Sequence, residues 1–397
     1  MRAPYVPLLL LAACANPCAG PSTLADYQAA REAALATPAP ATEGWQPDAV
    51  LQISRPVVAH LIERGLAAHG HFDGPVETKA GTLTPDLTLD KVTVVPARAC
   101  DDCLGVDLAL SGTLSTEGML KITVPLTVSA HAEVSVEAVP DGDEWVVRAD
   151  IAEVSDLRLT LGKRLPAALQ KVVDGPVSDA ITRRLLDRTE PTEVTRFDDQ
   201  ALPALAVRVR TPDAALRVEV LTTALDPRPL PDLAVPGKGW TLHVQQPSLL
   251  SIARRETFKQ GVVTWQVVPE PTGLDIGQGR FTLDLRLWMI QEPGWWRDYA
   301  VHGELVRKDG TFTLKATEVI ERGASPGAAA ADPLAELGRS TILTTITDSV
   351  AGSFADEVRA EGGALKLRVN VKEVVGEGEL LRVKGDILAR TPPTGNR

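Results

Sequence analysis

The chain has six histidines, four cysteines and several acidic pairs whose types and spacing bear on chemistry. The histidines are His60, His69, His71, His131, His243 and His302. His69 and His71 stand two apart near a helix signal, but no further ligands accompany them, and a metal site needs three or four convergent donors. Asp101-Asp102 and Asp198-Asp199 read as solvated turns, because paired carboxylates make a hydrolase only in a defined geometry. No G-x-S-x-G elbow, P-loop or dinucleotide fingerprint occurs. Gly277-Gln278-Gly279 precedes a strand pattern, where a phosphate loop requires a helix. We therefore assign no catalytic residue, metal or cofactor and expect a protein that is not an enzyme. Cys100-Asp101-Asp102-Cys103 fits a redox pair, half of a zinc site or a small disulfide closing a turn. With no second ligand pair, the disulfide between Cys100 and Cys103 is favoured, in an oxidising compartment.

The N-terminus places Arg2 before the apolar run Val6–Ala13 and then Cys14. This is the layout of a secretory signal peptide over residues 1–13, and the run is too short to span a bilayer as a helix. Leu11-Ala12-Ala13-Cys14 resembles the lipobox of bacterial lipoproteins. That resemblance implies cleavage before Cys14 and a diacylglyceryl group on its thiol, a membrane anchor whose hold grows by roughly 0.8 kcal/mol per buried CH₂. The alternative is an ordinary signal peptide with Cys14 incidental. The residue after Cys14 is Ala15 rather than Asp. In the lipoprotein sorting rule this points to the outer membrane, with the body on its periplasmic side or at the cell surface.

Residues 14–45 are rich in Ala, Pro and Thr and read as a lipidated cysteine with a flexible spacer, holding one short helix between Leu24 and Leu35. The formal net charge is −11, which argues against nucleic acid and against general attraction to anionic headgroups. Hydrophobic residues make up 44% and aromatics only 4%, so the core must be mainly aliphatic.

A helix signal runs from Ser54, a cap candidate, through Pro56 to Leu66. Alternation follows at Val106–Leu110, Leu120–Val128, Ala132–Val136, Trp145–Ile151 and Leu157–Leu161, which predicts antiparallel strands wetted on one face. A helical stripe extends from Leu165 to Leu185, interrupted at Gly175-Pro176, and a hairpin turns at Pro212-Asp213. After a Pro-rich connector at 226–239 the order restarts: a helix at Gln246–Arg255, strands at Phe281–Leu287 and Phe312–Leu314, a long helix from Asp332 to Phe354, and a hairpin at Leu365–Val371 and Leu381–Val383. The expectation is an α+β fold of two pseudo-repeated lobes, 46–225 and 240–390, with a tail at 391–397; two unrelated α+β domains are the alternative.

This order of elements resembles the TULIP superfamily of tubular lipid-binding domains, to which the two-lobed bactericidal/permeability-increasing protein belongs. The resemblance covers roughly residues 46–390 and rests on architecture without a diagnostic motif. It implies that each lobe is a curved antiparallel sheet wrapped on a long amphipathic helix, with acyl chains of a phospholipid or related lipid in an apolar slot. The lining candidates are Ile122, Val124, Leu126, Val134, Val136, Leu169, Val173, Leu283, Leu285, Ile346 and Val350. Trp295 and Trp296, beside a turn signal, either dip into a membrane interface or pack against the sheet. The rival function is a non-catalytic adaptor lipoprotein that binds an envelope protein partner.

Overall fold

A computed structural model describes residues 20–67, 71–78, 81–100, 102–117, 123–142, 144–162, 173–187, 192–197, 203–261, 267–290, 294–308, 311–325, 328 and 366–390. These residues form mainly antiparallel sheet with few helices. Among them no helix is long and apolar enough to cross a membrane.

The largest sheet has seven strands: β2 (His71–Asp73), β3 (Val76–Thr78), β4 (Gly81–Pro96), β5 (Cys103–Glu117), β6 (Thr123–Asp141), β7 (Glu144–Leu161) and β8 (Thr192–Phe197). The predicted turn after Pro140 closes the β6–β7 hairpin, where Gly142 adopts φ 65° and Asp141 pairs with Glu144. The alternating runs 120–128 and 132–136, expected as separate strands, belong to one ladder from Thr123, as do 145–151 and 157–161. Register shifts at Ser129/His131 and Glu133/Val134 explain the division seen along β7. Both extra residues lie on β7, where the apolar positions pass from Ile151 to Val154 and then Leu157; on β6 the even-numbered apolar face runs unbroken from Val124 through Ala130 to Val136.

The central sheet has six strands: β1 (Ala49–Ile53), β9 (Ala204–Arg210), β10 (Leu216–Thr222), β11 (Trp240–Gln245), β16 (Lys366–Glu377) and β17 (Leu380–Arg390). Their order is β16-β17-β11-β1-β10-β9, so the two halves of the sequence contribute three strands each, in mirrored order. The third sheet is the meander β12 (Val267–Ile276), β13 (Arg280–Met289), β14 (Trp295–Lys308) and β15 (Thr311–Ala324). The apolar face of the central sheet, including Val218, Val244 and Val383, packs into one core with Val94, Leu104 and Val147 of the seven-stranded sheet and with Phe281, Val301 and Leu314 of the meander.

The described helices are α1 (Gly20–Leu35), α2 (Arg55–Ala67), α3 (Ser178–Asp187) and α4 (Gln246–Gln260). α2 and α4 follow β1 and β11 directly, each with proline in its first turn, where the missing N–H costs no intrahelical bond. Ser54 caps α2 through its backbone carbonyl, which accepts from Val57 and Val58, while its hydroxyl has no partner; the expected side-chain cap is not formed. Of the long helical stripe at 165–185, Val173–Val177 forms a π turn leading into α3. The long helix expected from Asp332 to Phe354 lies outside the described residues.

The short helix expected within the spacer is present as α1, but it is docked rather than part of a free tether. α1 docks on α4 and the meander, burying Tyr27 and Ala34 beside Phe258, Val268 and Trp288. The Tyr27 ring lies 5.8 Å from that of Phe258 and 5.9 Å from that of Trp288. Apolar burial of this kind outweighs the tether-like composition of the surrounding sequence. The Pro-rich connector carries no helix or strand, as expected. It runs over the polar side of the central sheet, where Gln52 Nε2 donates to the Leu233 carbonyl at 3.1 Å and Gln245 Nε2 to the Pro229 carbonyl at 3.1 Å.

Candidate functional site

The residues proposed from sequence to contact lipid divide between two cores. Val124 and Leu126 belong to the apolar face of the seven-stranded sheet; Val136, Leu283 and Leu285 belong to the core shared by all three sheets. Val134 packs against both. Ile122, Leu169, Ile346 and Val350 lie outside the described residues, as does the side chain of Val173. Cys14 also lies outside them.

Pairing across the seven-stranded sheet aligns these side chains in transverse rows. One row runs Leu89–Leu110–Val128–Leu159, another Leu87–Gly112–Leu126–Leu161 and a third Val94–Val106–Ala132–Val154. The centre of the face is closed, with Leu110, Leu126 and Val128 each at most 1% exposed. Its margins are not: Leu89 and Val92 on β4, and Ile151, Val154, Leu157, Leu159 and Leu161 on β7, remain half-buried. Among the described residues, the π turn contributes Val177 to this face, α3 contributes Ile181 and α2 contributes Ile62. A buried aliphatic strip thus has half-open aliphatic borders along two long strands.

The opposite face of the same sheet holds a cluster that the sequence did not mark. On β6, Thr123, Pro125, Thr127 and Ser129 are exposed, and the alternation then stops: His131 and Glu133 are 2% and 3% exposed. His131 Nδ1 lies 2.7 Å from Asp107 Oδ1, and His131 Nε2 lies 3.2 Å from Glu133 Oε1. Arg98 N donates to Glu133 Oε1 at 2.7 Å, and Ala99 N also donates to this carboxylate. Burial pushes the Glu133 pKa upward, but the N–H donors of Arg98, His131 and Ala99 outweigh it and leave the carboxyl below its ordinary value. Each imidazole nitrogen faces its own carboxylate, so the trio does not open onto a common ion. Among the described residues no metal-ligating group of three or more occurs.

The segment over this cluster is the one between β4 and β5, and it is closed by a disulfide between Cys100 and Cys103, Cα atoms 5.3 Å apart. Arg98 Nη1 pairs with Asp156 Oδ2 at 2.6 Å, and Thr211 Oγ1 donates to the Cys103 carbonyl at 2.7 Å. The C-x-x-C was the only sequence signal near the trio. The partnership of Asp107 with His131 depends on β5–β6 register, which spacing along the chain does not reveal.

Neither tryptophan of the expected membrane-docking pair is a free wedge. Trp295 opens β14 and is 7% exposed, while Trp296 is half-buried with the Arg286 guanidinium 4.4 Å from its ring centre. Arg286 is in turn held by Asp298, with Nε to Oδ1 at 2.6 Å and Nη2 to Oδ2 at 2.7 Å. Beneath them Glu270, 3% exposed, accepts from Trp288 Nε1 at 2.6 Å and pairs with Arg254 Nη2 at 2.5 Å. The pair packs because β14 extends back to Trp295, where a turn was expected.

On the polar side of the central sheet, Glu219 is buried and bound by Arg208 and by Arg217, whose Nε lies 3.0 Å from Glu219 Oε1. His243, 7% exposed, is held neutral: burial first and then the nearby Arg382 lower its pKa to about 4, with Lys384 and Arg217 adding to them against an opposing pull from Glu377.

With the fold in place, comparison with known proteins gives three structural likenesses. The chain is similar to a crystal structure of lipopolysaccharide binding protein over 88% of its own length and 100% of the other, at 12% identity and a TM-score of 0.39. It is similar to P47 of Clostridium botulinum E1 over 86% and 99% of the two chains, at 7% identity and a TM-score of 0.40. For P47 of Clostridium botulinum A2 the values are 86%, 97%, 9% and 0.37. No family model matches the chain, and no curated protein does. At these TM-scores the likenesses carry no functional conclusion, which rests on the chain's own residues.

Proposed function

We propose that this protein is a non-catalytic lipoprotein of the bacterial cell envelope, anchored through an acylated Cys14, that binds the acyl chains of a phospholipid or related lipid. The observation that carries the reading is the aliphatic strip of the seven-stranded sheet with its half-open margins at Leu89, Val92, Leu157, Leu159 and Leu161. An acyl chain laid along such a margin removes apolar surface on both partners from water, worth about 0.8 kcal/mol per buried CH₂. Because the strip is aliphatic and its rows carry no charge, it fits a hydrocarbon chain rather than a polar ligand. A TULIP-like plan of two lobes accords with the mirrored strand order of the central sheet, in which each half contributes one strand and one hairpin. Outer-membrane placement follows from the lipobox resemblance and Ala15.

The test is native mass spectrometry of the secreted chain carrying Cys14→Ser, purified without detergent, followed by extraction and identification of bound lipid. Stoichiometric lipid of one class supports the reading. An apo mass that persists after incubation with phospholipid vesicles removes it and leaves an adaptor role. Radiolabelled palmitate appearing on the wild-type chain and absent from Cys14→Ser tests the anchor separately.

A further inference from the structure

On β6 the polar residues are wet from Thr123 to Ser129 and again at Glu137, but His131 and Glu133 are buried. The loop between β4 and β5 reaches Glu133 directly, and His131 is bonded to Glu133 beside it. The loop residues Arg98 and Ala99 each give a backbone N–H to Glu133, and the Arg98 side chain reaches across to Asp156 on β7. The loop is closed immediately afterwards by the Cys100–Cys103 bridge. The two cysteines differ in access: Cys100 is exposed, and Cys103 is 2% exposed at the start of β5, its carbonyl held by Thr211. One sulfur is therefore presented to an incoming thiolate while the other is shielded, and attack requires access.

We propose that Cys100–Cys103 is a thiol-exchange site for a dithiol reductant, and that its reduction releases the loop and bares His131 and Glu133. The reductant's thiolate attacks Cys100 Sγ, forming a mixed disulfide and expelling the Cys103 thiolate. The second thiolate of the reductant then attacks its own sulfur in that mixed disulfide. The reductant leaves oxidised as a disulfide, Cys100 leaves as a thiolate, and both cysteines take up a proton. Two electrons pass from the dithiol to the protein. Without the bridge the loop keeps two backbone hydrogen bonds and the exposed Arg98–Asp156 pair, and exposed ion pairs hold little. Its amides then exchange with water, and Asp107, His131 and Glu133 become a wet acid–histidine–acid patch on the outer face of the sheet. This inference is independent of the lipid reading, because the patch and the aliphatic strip lie on opposite faces.

The experiment treats the full chain with excess dithiothreitol under native conditions, with peptide mass mapping to confirm that Cys100 and Cys103 are reduced. Hydrogen–deuterium exchange is read at Arg98 and Ala99, and diethyl pyrocarbonate modification at His131. Expected are exchange at those two amides faster by about tenfold or more and new modification of His131, with β5 and β6 amides still protected. The Cys100→Ser/Cys103→Ser variant should show the open pattern without reductant. Three outcomes overturn the proposal: a bridge that resists the dithiol in the folded protein, reduction without change at Arg98, Ala99 and His131, or loss of β5–β6 protection together with the loop, which would make the bridge a staple of the whole sheet.

Discussion

Leu51 and Leu242 face each other directly across the β1–β11 pair at the centre of the six-stranded sheet. Each has a valine on its outer side, Val218 beside Leu51 and Val383 beside Leu242, and beyond these stand Val209 and Val374. The transverse row therefore reads Val–Val–Leu–Leu–Val–Val from one edge to the other. The same two positions stand five residues before Pro56 and Pro247, which open the helices after β1 and β11. The two halves of the chain thus meet as equivalents, and the central sheet cannot form from either half alone.

One consequence is cooperativity. Chemical denaturation should show one transition common to both halves, followed by the fluorescence of Trp145 in the first and Trp288 in the second. Leu51→Ala with Leu242→Ala should destabilise by about 1–3 kcal/mol, below the fully buried range because both leucines are half-buried. The effect should differ from the sum of the singles by about 0.5 kcal/mol or more, since the side chains are direct cross-strand neighbours. Two separate transitions in the wild-type chain would contradict this.

The aliphatic strip makes a prediction that separates binding from folding. Leu159→Ser, at a half-open margin, should cost about 1 kcal/mol in stability and lower lipid uptake at least about tenfold. Leu126→Ala, in the closed centre, should cost about 3 kcal/mol and act on uptake only through stability. Uptake from fluorescent phospholipid vesicles and urea titration of the same samples measure the two quantities. Equal uptake by Leu159→Ser and wild type would remove the strip as the contact surface.

How much of this was legible in the sequence depends on which interactions are local. The β9–β10 hairpin with its turn at Pro212-Asp213, the β16–β17 hairpin, the first turns of α2 and α4 and the Cys100–Cys103 bridge all follow from short-range patterns, and all are present. The strand β4 was missed because Pro85 and Asp90 interrupt its apolar alternation, although the ladder with β5 continues past both. The site residues divide in the same way. Val124 and Leu126 could be placed on the apolar face of β6 because that face has a period. The His131 trio, Glu219 with its arginines and Glu270 under Trp288 could not, because a buried polar group is defined by partners on other strands. For Trp295 and Trp296 the sequence left two alternatives, and packing against the sheet is the one observed, because β14 begins directly after Gly294 at φ 61°.

His243 predicts a pH dependence. Its folded pKa is about 4, whereas a free imidazole titrates near 6.5. Between those values the unfolded chain binds a proton that the folded chain refuses, so stability is fully present above about pH 6.5 and falls as the pH drops toward 4. Below that both states are protonated and the contribution stops changing. The loss is at most about 3 kcal/mol, with a slope of up to about 1.4 kcal/mol per pH unit. Denaturation curves of wild type and His243→Gln from pH 7 to pH 4 should diverge by part of this amount, with the wild type losing more. Parallel curves would show that His243 is not held neutral.

The docking of α1 gives the last prediction. The helix is held chiefly by Tyr27, whose ring sits between Phe258 and Trp288 while burial raises its hydroxyl pKa above the ordinary tyrosine value. The helix also contributes the buried Thr23 and Ala34 and the half-buried Ala30 and Leu35. A 16-residue helix is marginal by itself in water, so its order depends on docking, in which the Tyr27 ring is the largest buried contact. Tyr27→Ala should therefore free α1 without unfolding the sheets, at a cost of about 2–4 kcal/mol in the local opening equilibrium, somewhat below a full aromatic deletion because the site is at the surface. Trypsin cleavage at Arg31 should become at least about tenfold faster in the variant, while β13 and β14 amides keep their protection. Tyr27→Phe should behave as wild type, since the contact is through the ring. Unchanged cleavage in Tyr27→Ala would mean that α1 is held by something other than this anchor.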